Sequence, residues 1–124
     1  WVPLIESGEH LGDGANYFVE KYLTELLTRD PLIDTIILGC THYPLLQPKI
    51  EAFLSENNYH ISVVSQGSIV ADSFADYLHR HPEFSQDSKG GTCKYLTTES
   101  ANKFSESASL FLSETIEAQH IELQ

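Results

Sequence analysis

The sequence has no methionine, only two cysteines and few basic residues. Because its 124 residues begin at Trp1, the absence of methionine predicts either a processed leader or a piece of a longer protein. Seven Lys and Arg residues stand against 18 Asp and Glu residues, which gives a formal net charge of −11. Phosphate backbones and anionic lipid surfaces repel such a polyanion. The charge therefore argues against nucleic-acid and membrane partners.

Long apolar runs are also missing. No stretch approaches the roughly 20 apolar residues that span a bilayer, and the first residues lack the basic segment of a secretory signal. Two cysteines are too few for a disulfide framework, which favours a reducing compartment. The hydrophobic fraction of 41% is typical of a folded chain. We therefore expect a cytoplasmic globular protein.

Helix and strand patterns alternate four times along the chain. Helical spacing of apolar residues predicts helices over residues 15–27, 46–54, 70–78 and 101–111. Apolar or β-branched runs predict strands at 34–39, 61–64, 92–98 and 118–123. Interleaved helices and strands predict the α/β class with parallel strands.

Four local predictions accompany this pattern. Asp13 is expected to cap the first helix, and the strand at 34–39 is expected to be covered on both faces. Residues 2–5 resemble the tail of a further strand. The polar, glycine-rich stretch 85–91 predicts a loop.

Cys40 follows the predicted strand at 34–39, and Thr41 and His42 follow it in the loop before the next helix. Open α/β sheets bind their ligands at the carboxyl ends of strands. Helix termini and imidazoles nearby favour the thiolate, the reactive form of cysteine. Cys40 is therefore a candidate catalytic thiol. The alternative is a small buried hydrophobe, as an isolated cysteine after an apolar strand usually is.

The remaining polar residues give weaker indications. The spacing Cys40-x-His42 does not match structural zinc sites, which use two spaced ligand pairs, so no metal is expected. Cys93 falls within a predicted strand and is interpreted as structural. Glu6 follows an apolar run; it either orients a histidine or is one surface glutamate among many.

Residues 38–46, Leu-Gly-Cys-Thr-His-Tyr-Pro-Leu-Leu, resemble the second catalytic-cysteine motif of the glutamate racemases. Residues 2–6, 65–67 and 95–98 are similar to further segments of that family. The resemblance covers the whole chain but corresponds only to the C-terminal half of such an enzyme. It implies that residues 1–65 form part of the second α/β lobe and that 66–124 complete the first lobe, whose N-terminal half is absent.

The resemblance also implies a chemistry. Glutamate racemases use no cofactor, and two cysteines on opposite faces of glutamate exchange its Cα proton, supplying D-glutamate for peptidoglycan synthesis. Cys40 would be one of these groups, with Thr41 and His42 contacting the substrate, His42 assisting Cys40, and Glu6 orienting His42. Because the other cysteine motif is missing, this chain alone is expected to be inactive; a homodimer is one state allowed for the full-length enzyme. Two alternatives stay open: a two-cysteine racemase of the aspartate or hydantoin type, and a non-catalytic α/β interaction module.

Overall fold

The computed structural model describes residues 1–84 and 92–123, so the predicted loop at 85–91 lies outside the described residues. The helices are α1 (Val2–Glu6), α2 (Asp13–Arg29), α3 (Gln47–Glu56), α4 (Gln66–Arg80) and α5 (Ala101–Leu112). The strands are β1 (Thr35–Leu38), β2 (Ser62–Ser65), β3 (Tyr95–Thr97) and β4 (Ala118–His120). Short 3₁₀ helices occupy Glu9–Leu11, Tyr43–Leu46 and Pro82–Phe84.

The chain divides into two compact units, Trp1–Pro82 and Glu83–Gln124. Each unit contains one pair of parallel strands. The predicted division at residues 65 and 66 concerns the lobes of a larger enzyme, and it stays a prediction.

In the first unit, β1, α3 and β2 form a β-α-β arrangement. The two strands pair in parallel register, from Thr35 opposite Ser62 to Leu38 opposite Ser65. The predicted α/β class with parallel strands is confirmed. The register also means that both strands end at one edge of the sheet.

The hydrophobic core of the first unit lies between its helices and β1. Helix α2 contributes apolar side chains at every fourth position, so that they share one face. The buried apolar residues of this unit are Ile5, Ala15, Val19, Leu23, Leu27, Leu38, Leu46, Ile50 and Leu54. Ile5, Leu46 and Ile50 are fully buried. Each such side chain stabilises the fold by about 1.5–3 kcal/mol relative to exposure.

Helix α4 differs from α2 because all of its residues keep solvent exposure in the described part of the chain. Four large apolar side chains occupy one side of it: Ile69, Val70, Phe74 and Tyr77. Val70 is 62% exposed and Phe74 is 59% exposed. We call these four residues the α4 stripe.

The second unit is held together by serine hydroxyls as well as by apolar contact. Ser105 Oγ donates to the carbonyl of Ala101 and accepts from the amide of Ala118, the latter at 2.9 Å. Ser109 Oγ similarly accepts from the amide of Ile116 at 2.9 Å. These bonds fasten α5 to β4 and to the turn before it.

Two helix predictions were wrong. Residues 2–6 form α1 rather than a strand tail, because Pro3 fixes a helical φ in the first turn and the amide of Ile5 donates to the carbonyl of Trp1. Asp13 does not cap α2. The helix already begins at Asp13, and Gly12 is its extended N-cap.

Two strand predictions were also wrong. β1 is not covered on both faces, because Ile37 is 65% exposed in this two-stranded sheet while Leu38 is buried. Cys93 does not lie in a strand; β3 begins at Tyr95, and Cys93 is exposed. Among the described helices, none has both the length and the apolar character needed to cross a bilayer.

Candidate active site

The segment after β1 carries the reactive groups. Leu38 is buried at the end of β1, and Leu46 is buried at the end of the following 3₁₀ helix. Between these two anchors the chain turns tightly, with the amide of Tyr43 donating to the carbonyl of Cys40. The anchors fix both ends of the segment, so Cys40 and His42 are held at the edge of the sheet.

The imidazole ring of His42 lies between Cys40 on one side and Glu6 on the other. Its Nδ1 is 3.9 Å from Cys40 Sγ and 3.4 Å from Thr41 Oγ1. Its Nε2 is 3.3 Å from Glu6 Oε1. The thiol, the imidazole and the carboxylate therefore follow one another in a line.

Glu6 reaches this line because of the packing of α1. Ile5 is fully buried and fixes the helix, so that Glu6, the next residue, projects to the surface. Trp1 also packs edge-on against Tyr43, with ring centroids 5.0 Å apart, and so ties the start of α1 to the residue after His42. The His42–Glu6 contact joins residues 36 positions apart.

The geometry assigns hydrogens to the imidazole. An ionised carboxylate can only accept a hydrogen bond, so in neutral His42 the Nε2–H donates to Glu6. Nδ1 is then an acceptor that faces both Cys40 and Thr41. In this tautomer His42 can take a proton from the thiol. The Glu6 side chain is 62% exposed, so the pair orients the ring and adds little to stability.

A cavity of about 290 Å³ adjoins Cys40. It is lined by Leu38, Cys40, Thr41, Pro44, Gln66, Gly67 and Val70. The first four residues come from β1 and the segment after it, and the last three come from α4. A volume of this size suits a small molecule of the dimensions of an amino acid.

The structure brings together all the site residues predicted from the sequence: Cys40, Thr41, His42 and Glu6. Within residues 1–84 and 92–123, no three His, Cys, Asp or Glu side chains are grouped as metal ligands. Sequence reasoning missed that Gln66 and Val70 line the cavity. The signal for both residues is the pairing of Leu38 with Ser65. Because β1 and β2 run in parallel and end side by side, the residues that follow β2 lie next to those that follow β1.

Comparison with known proteins shows similarity to one group of enzymes. No protein-family model matches the chain. The glutamate racemase of Ruegeria sp. strain TM1040 is 40% identical over 111 residues, which are 90% of this chain and 38% of that protein. The glutamate racemase of Roseobacter denitrificans is 40% identical over 94% of this chain and 40% of its own length.

Solved structures give the same result for the fold. The crystal structure of a glutamate racemase isoform from Bacillus anthracis matches 98% of this chain and 44% of its own, with a TM-score of 0.77 and 30% identity. A Francisella tularensis glutamate racemase, solved in complex with D-glutamate, matches with a TM-score of 0.76 at 24% identity, which supports the fold alone.

The chain is thus similar to racemases in sequence and in fold. The predicted resemblance to the glutamate racemases is confirmed over nine tenths of the chain. The chain spans about two fifths of the length of the curated relatives it matches.

Proposed function

We propose that this chain supplies one half of the active site of a cofactor-independent glutamate racemase. The enzyme would interconvert L- and D-glutamate in the cytoplasm for peptidoglycan synthesis. The observation that carries the proposal is the line from Cys40 through His42 to Glu6 beside a cavity of amino-acid size. The similarity to glutamate racemases supports glutamate as the substrate.

Cys40 would act on one face of the substrate. As a thiolate it would remove the Cα proton, forming an S–H bond while the electron pair of the C–H bond stays on carbon. A second acid–base group on the opposite face would then return a proton, because inversion of a centre requires groups on both faces. That group would come from outside this chain: the other cysteine, Cys93, is exposed, and the chain spans only about two fifths of the racemases it matches.

His42 would assist Cys40, and Glu6 would be a positioning residue. The Nδ1 acceptor that faces the thiol is available only while the hydrogen is on Nε2, and Glu6 favours that tautomer. Thr41 also lines the cavity, and its Oγ1 lies 3.4 Å from His42 Nδ1. Its hydroxyl would hydrogen-bond with the substrate and with the carbanion-like intermediate, whose charge requires donors.

The division of the chain into lobes is part of the proposal. Residues 1–65 would belong to the second lobe of the whole enzyme, and residues 66–124 would complete the first. The exposed α4 stripe supports this arrangement, because apolar side chains of that size are usually covered in a finished fold. The missing portion of the enzyme would cover the stripe and bring the opposing acid–base group. The full-length enzyme could act as a homodimer.

A hybrid enzyme tests the function. This chain would replace the matching segment of the Ruegeria enzyme, and conversion of L- to D-glutamate would be followed by circular dichroism. We expect the hybrid to racemise glutamate and the isolated chain to be inactive. Cys40→Ala should lower kcat by at least about 100-fold, the usual contribution of an acid–base group. Cys93→Ala is the matched control and should leave the rate unchanged.

Three outcomes would contradict the proposal. A folded hybrid without racemase activity would contradict the proposal that the enzyme racemises glutamate. A Cys40→Ala hybrid as active as its parent would show that the Cys40 thiol does not take part in catalysis. An isolated chain as active as a full-length enzyme would show that its active site is complete. Assays with aspartate and hydantoins would reveal the alternative superfamily activities, and an inert hybrid would favour a non-catalytic interaction module.

A further inference from the structure

The cavity beside Cys40 has a second wall that the Cys-Thr-His segment does not include. We call this wall, formed by Gln66, Gly67 and Val70, the α4 wall. Since Leu38 pairs with Ser65, β1 and β2 end at the same level of the sheet. The segment that leads to Cys40 and the first turn of α4 therefore leave the sheet side by side.

Gln66 is the polar side chain of the α4 wall. The other described polar lining residues, Cys40 and Thr41, come from the segment after β1, whereas Leu38, Pro44 and Val70 are apolar. The described lining contains no lysine or arginine, so the donors that this chain itself offers to an anionic group are neutral. A glutamine carboxamide offers two N–H donors and one acceptor without adding charge.

We propose that Gln66 is a substrate-binding residue that donates a hydrogen bond to a carboxylate of the acid bound beside Cys40. The identity of that acid as glutamate rests on the function proposed above. The position next to the thiol would place one carboxylate against α4 while the Cα atom faces Sγ. The backbone amides at the start of α4 are further donors, so the test must change the side chain and leave the backbone in place.

The proposal can be tested on the intact chain by comparing two alkylating reagents of similar size but different charge. Iodoacetate carries a carboxylate and iodoacetamide a neutral amide. In both, the cysteine sulfur forms an S–C bond as the C–I bond breaks and iodide leaves. The preference for iodoacetate over iodoacetamide at Cys40 therefore measures carboxylate binding beside the thiol. Cys93, which is free and exposed, is an internal reference when both peptides are quantified by mass spectrometry.

We expect Gln66→Ala to lower the iodoacetate preference of Cys40, relative to Cys93, by about threefold, and Gln66→Glu to lower it by about tenfold through repulsion. Gln119→Glu makes the same charge change in β4, outside the lining of the cavity, and should have no effect. Circular dichroism would check that each variant is folded. An unchanged preference in folded Gln66→Ala would overturn the proposal, because repulsion by the new carboxylate of Gln66→Glu lowers the preference whether or not Gln66 donates a hydrogen bond.

Glutamate itself separates this proposal from the proposed function. In the wild-type chain, added glutamate should slow alkylation of Cys40 and not of Cys93, and Gln66→Glu should abolish that protection. If glutamate gives no protection while the iodoacetate preference still depends on Gln66, the carboxylate site stands and glutamate is not its ligand for this chain. If glutamate protects the wild-type and Gln66→Glu chains equally, Gln66 does not bind the substrate.

Discussion

The two compact units share a parallel strand pair and a free cysteine, yet they are stabilised differently. The first unit buries nine apolar residues around α2, α3 and β1, whereas Ile116 is the buried apolar residue among those described in the second. Hydroxyls of Ser105 and Ser109 replace part of that packing in the second unit. The difference extends to the thiols: Cys40 lies beside a histidine and a cavity, and Cys93 lies beside a tyrosine.

The candidate catalytic side chains lie in the unit that has the larger buried core. The buried side chains of Leu38 and Leu46 hold the ends of the segment that contains Cys40 and His42, and close packing leaves such anchors little freedom to move. The described residues of the second unit form no comparable site, and the serine hydrogen bonds that hold this unit together are only partly buried.

The largest expected effect is on the core of the first unit. Ile50→Ala should lower the free energy of unfolding by about 2–5 kcal/mol, because it removes a fully buried side chain and leaves a cavity. Urea unfolding followed by fluorescence of Trp1, the single tryptophan, reports on this unit. Leu96→Ala, at a half-exposed position of β3, is the control. Equal losses for both variants would contradict the contrast between the units.

A smaller effect is expected from the polar ties of the second unit. Ser105→Ala leaves the amide of Ala118 without its side-chain acceptor, which should destabilise the junction of α5 and β4 by about 1 kcal/mol. Hydrogen exchange of the Ala118 amide should accelerate by about fivefold. Ser107→Ala, at an exposed position of the same helix, should leave that rate unchanged. An unaltered Ala118 rate in Ser105→Ala would show that the hydroxyl contributes nothing.

The orientation of His42 affects catalysis rather than stability. In the hybrid enzyme, Glu6→Gln should lower kcat by about tenfold, equivalent to one charge-assisted hydrogen bond, and change KM by less than about twofold. The pH dependence of kcat should shift as well, since Gln can hold either imidazole tautomer. Glu9→Gln, an exposed change on the neighbouring 3₁₀ helix, is the control. An unmoved pH profile would mean that Glu6 has no positioning role.

The smallest effect concerns the pH response of the second unit. Hydrogen bonding with Cys93 raises the pKa of Tyr95, with smaller contributions from burial, from the charge of Cys93 and, least, from that of Glu114. The pKa of Tyr95 in the folded chain is thus above its unfolded value of about 10. Protonated Tyr95 therefore stabilises the folded state fully below pH values of about 10, and this stabilisation is lost as the pH rises through the folded-state pKa. Cys93→Ala should lower the pKa of Tyr95, measured by NMR titration of the ring. Glu114→Gln should lower it less, and a larger effect of Glu114→Gln would reverse the assignment.

Most of the fold was predictable because its periodic patterns are long. The spacing of apolar residues indicated α2 and α3, and Pro82 limited α4 correctly. The five residues of α1 are too few to show a helical period, and their β-branched and apolar character equally suits a strand. Coverage of β1 was mispredicted for another reason: apolar content gives no information about how many layers pack on a short strand.

The site was predictable in part. Cys40, Thr41 and His42 are consecutive, so any strand that ends before Gly39 brings them to one edge of the sheet. The position of Glu6 depended on a resemblance, because a contact across 36 residues leaves no local pattern. The place of Gln66 depended on which residues of the two parallel strands lie opposite each other, and the sequence analysis predicted the strands without assigning that register.

The α4 stripe has a consequence for this chain in solution. A polyanion of net charge −11 with an exposed apolar face should be kept dispersed by the repulsion between its copies. At low ionic strength, repulsion acts over about 30 Å at 0.01 M salt and keeps copies apart; at 1 M salt its range is about 3 Å, shorter than a side chain. Raising the salt concentration should therefore precipitate the chain through contacts between α4 stripes, and Phe74→Asp should raise the salt concentration at which this happens.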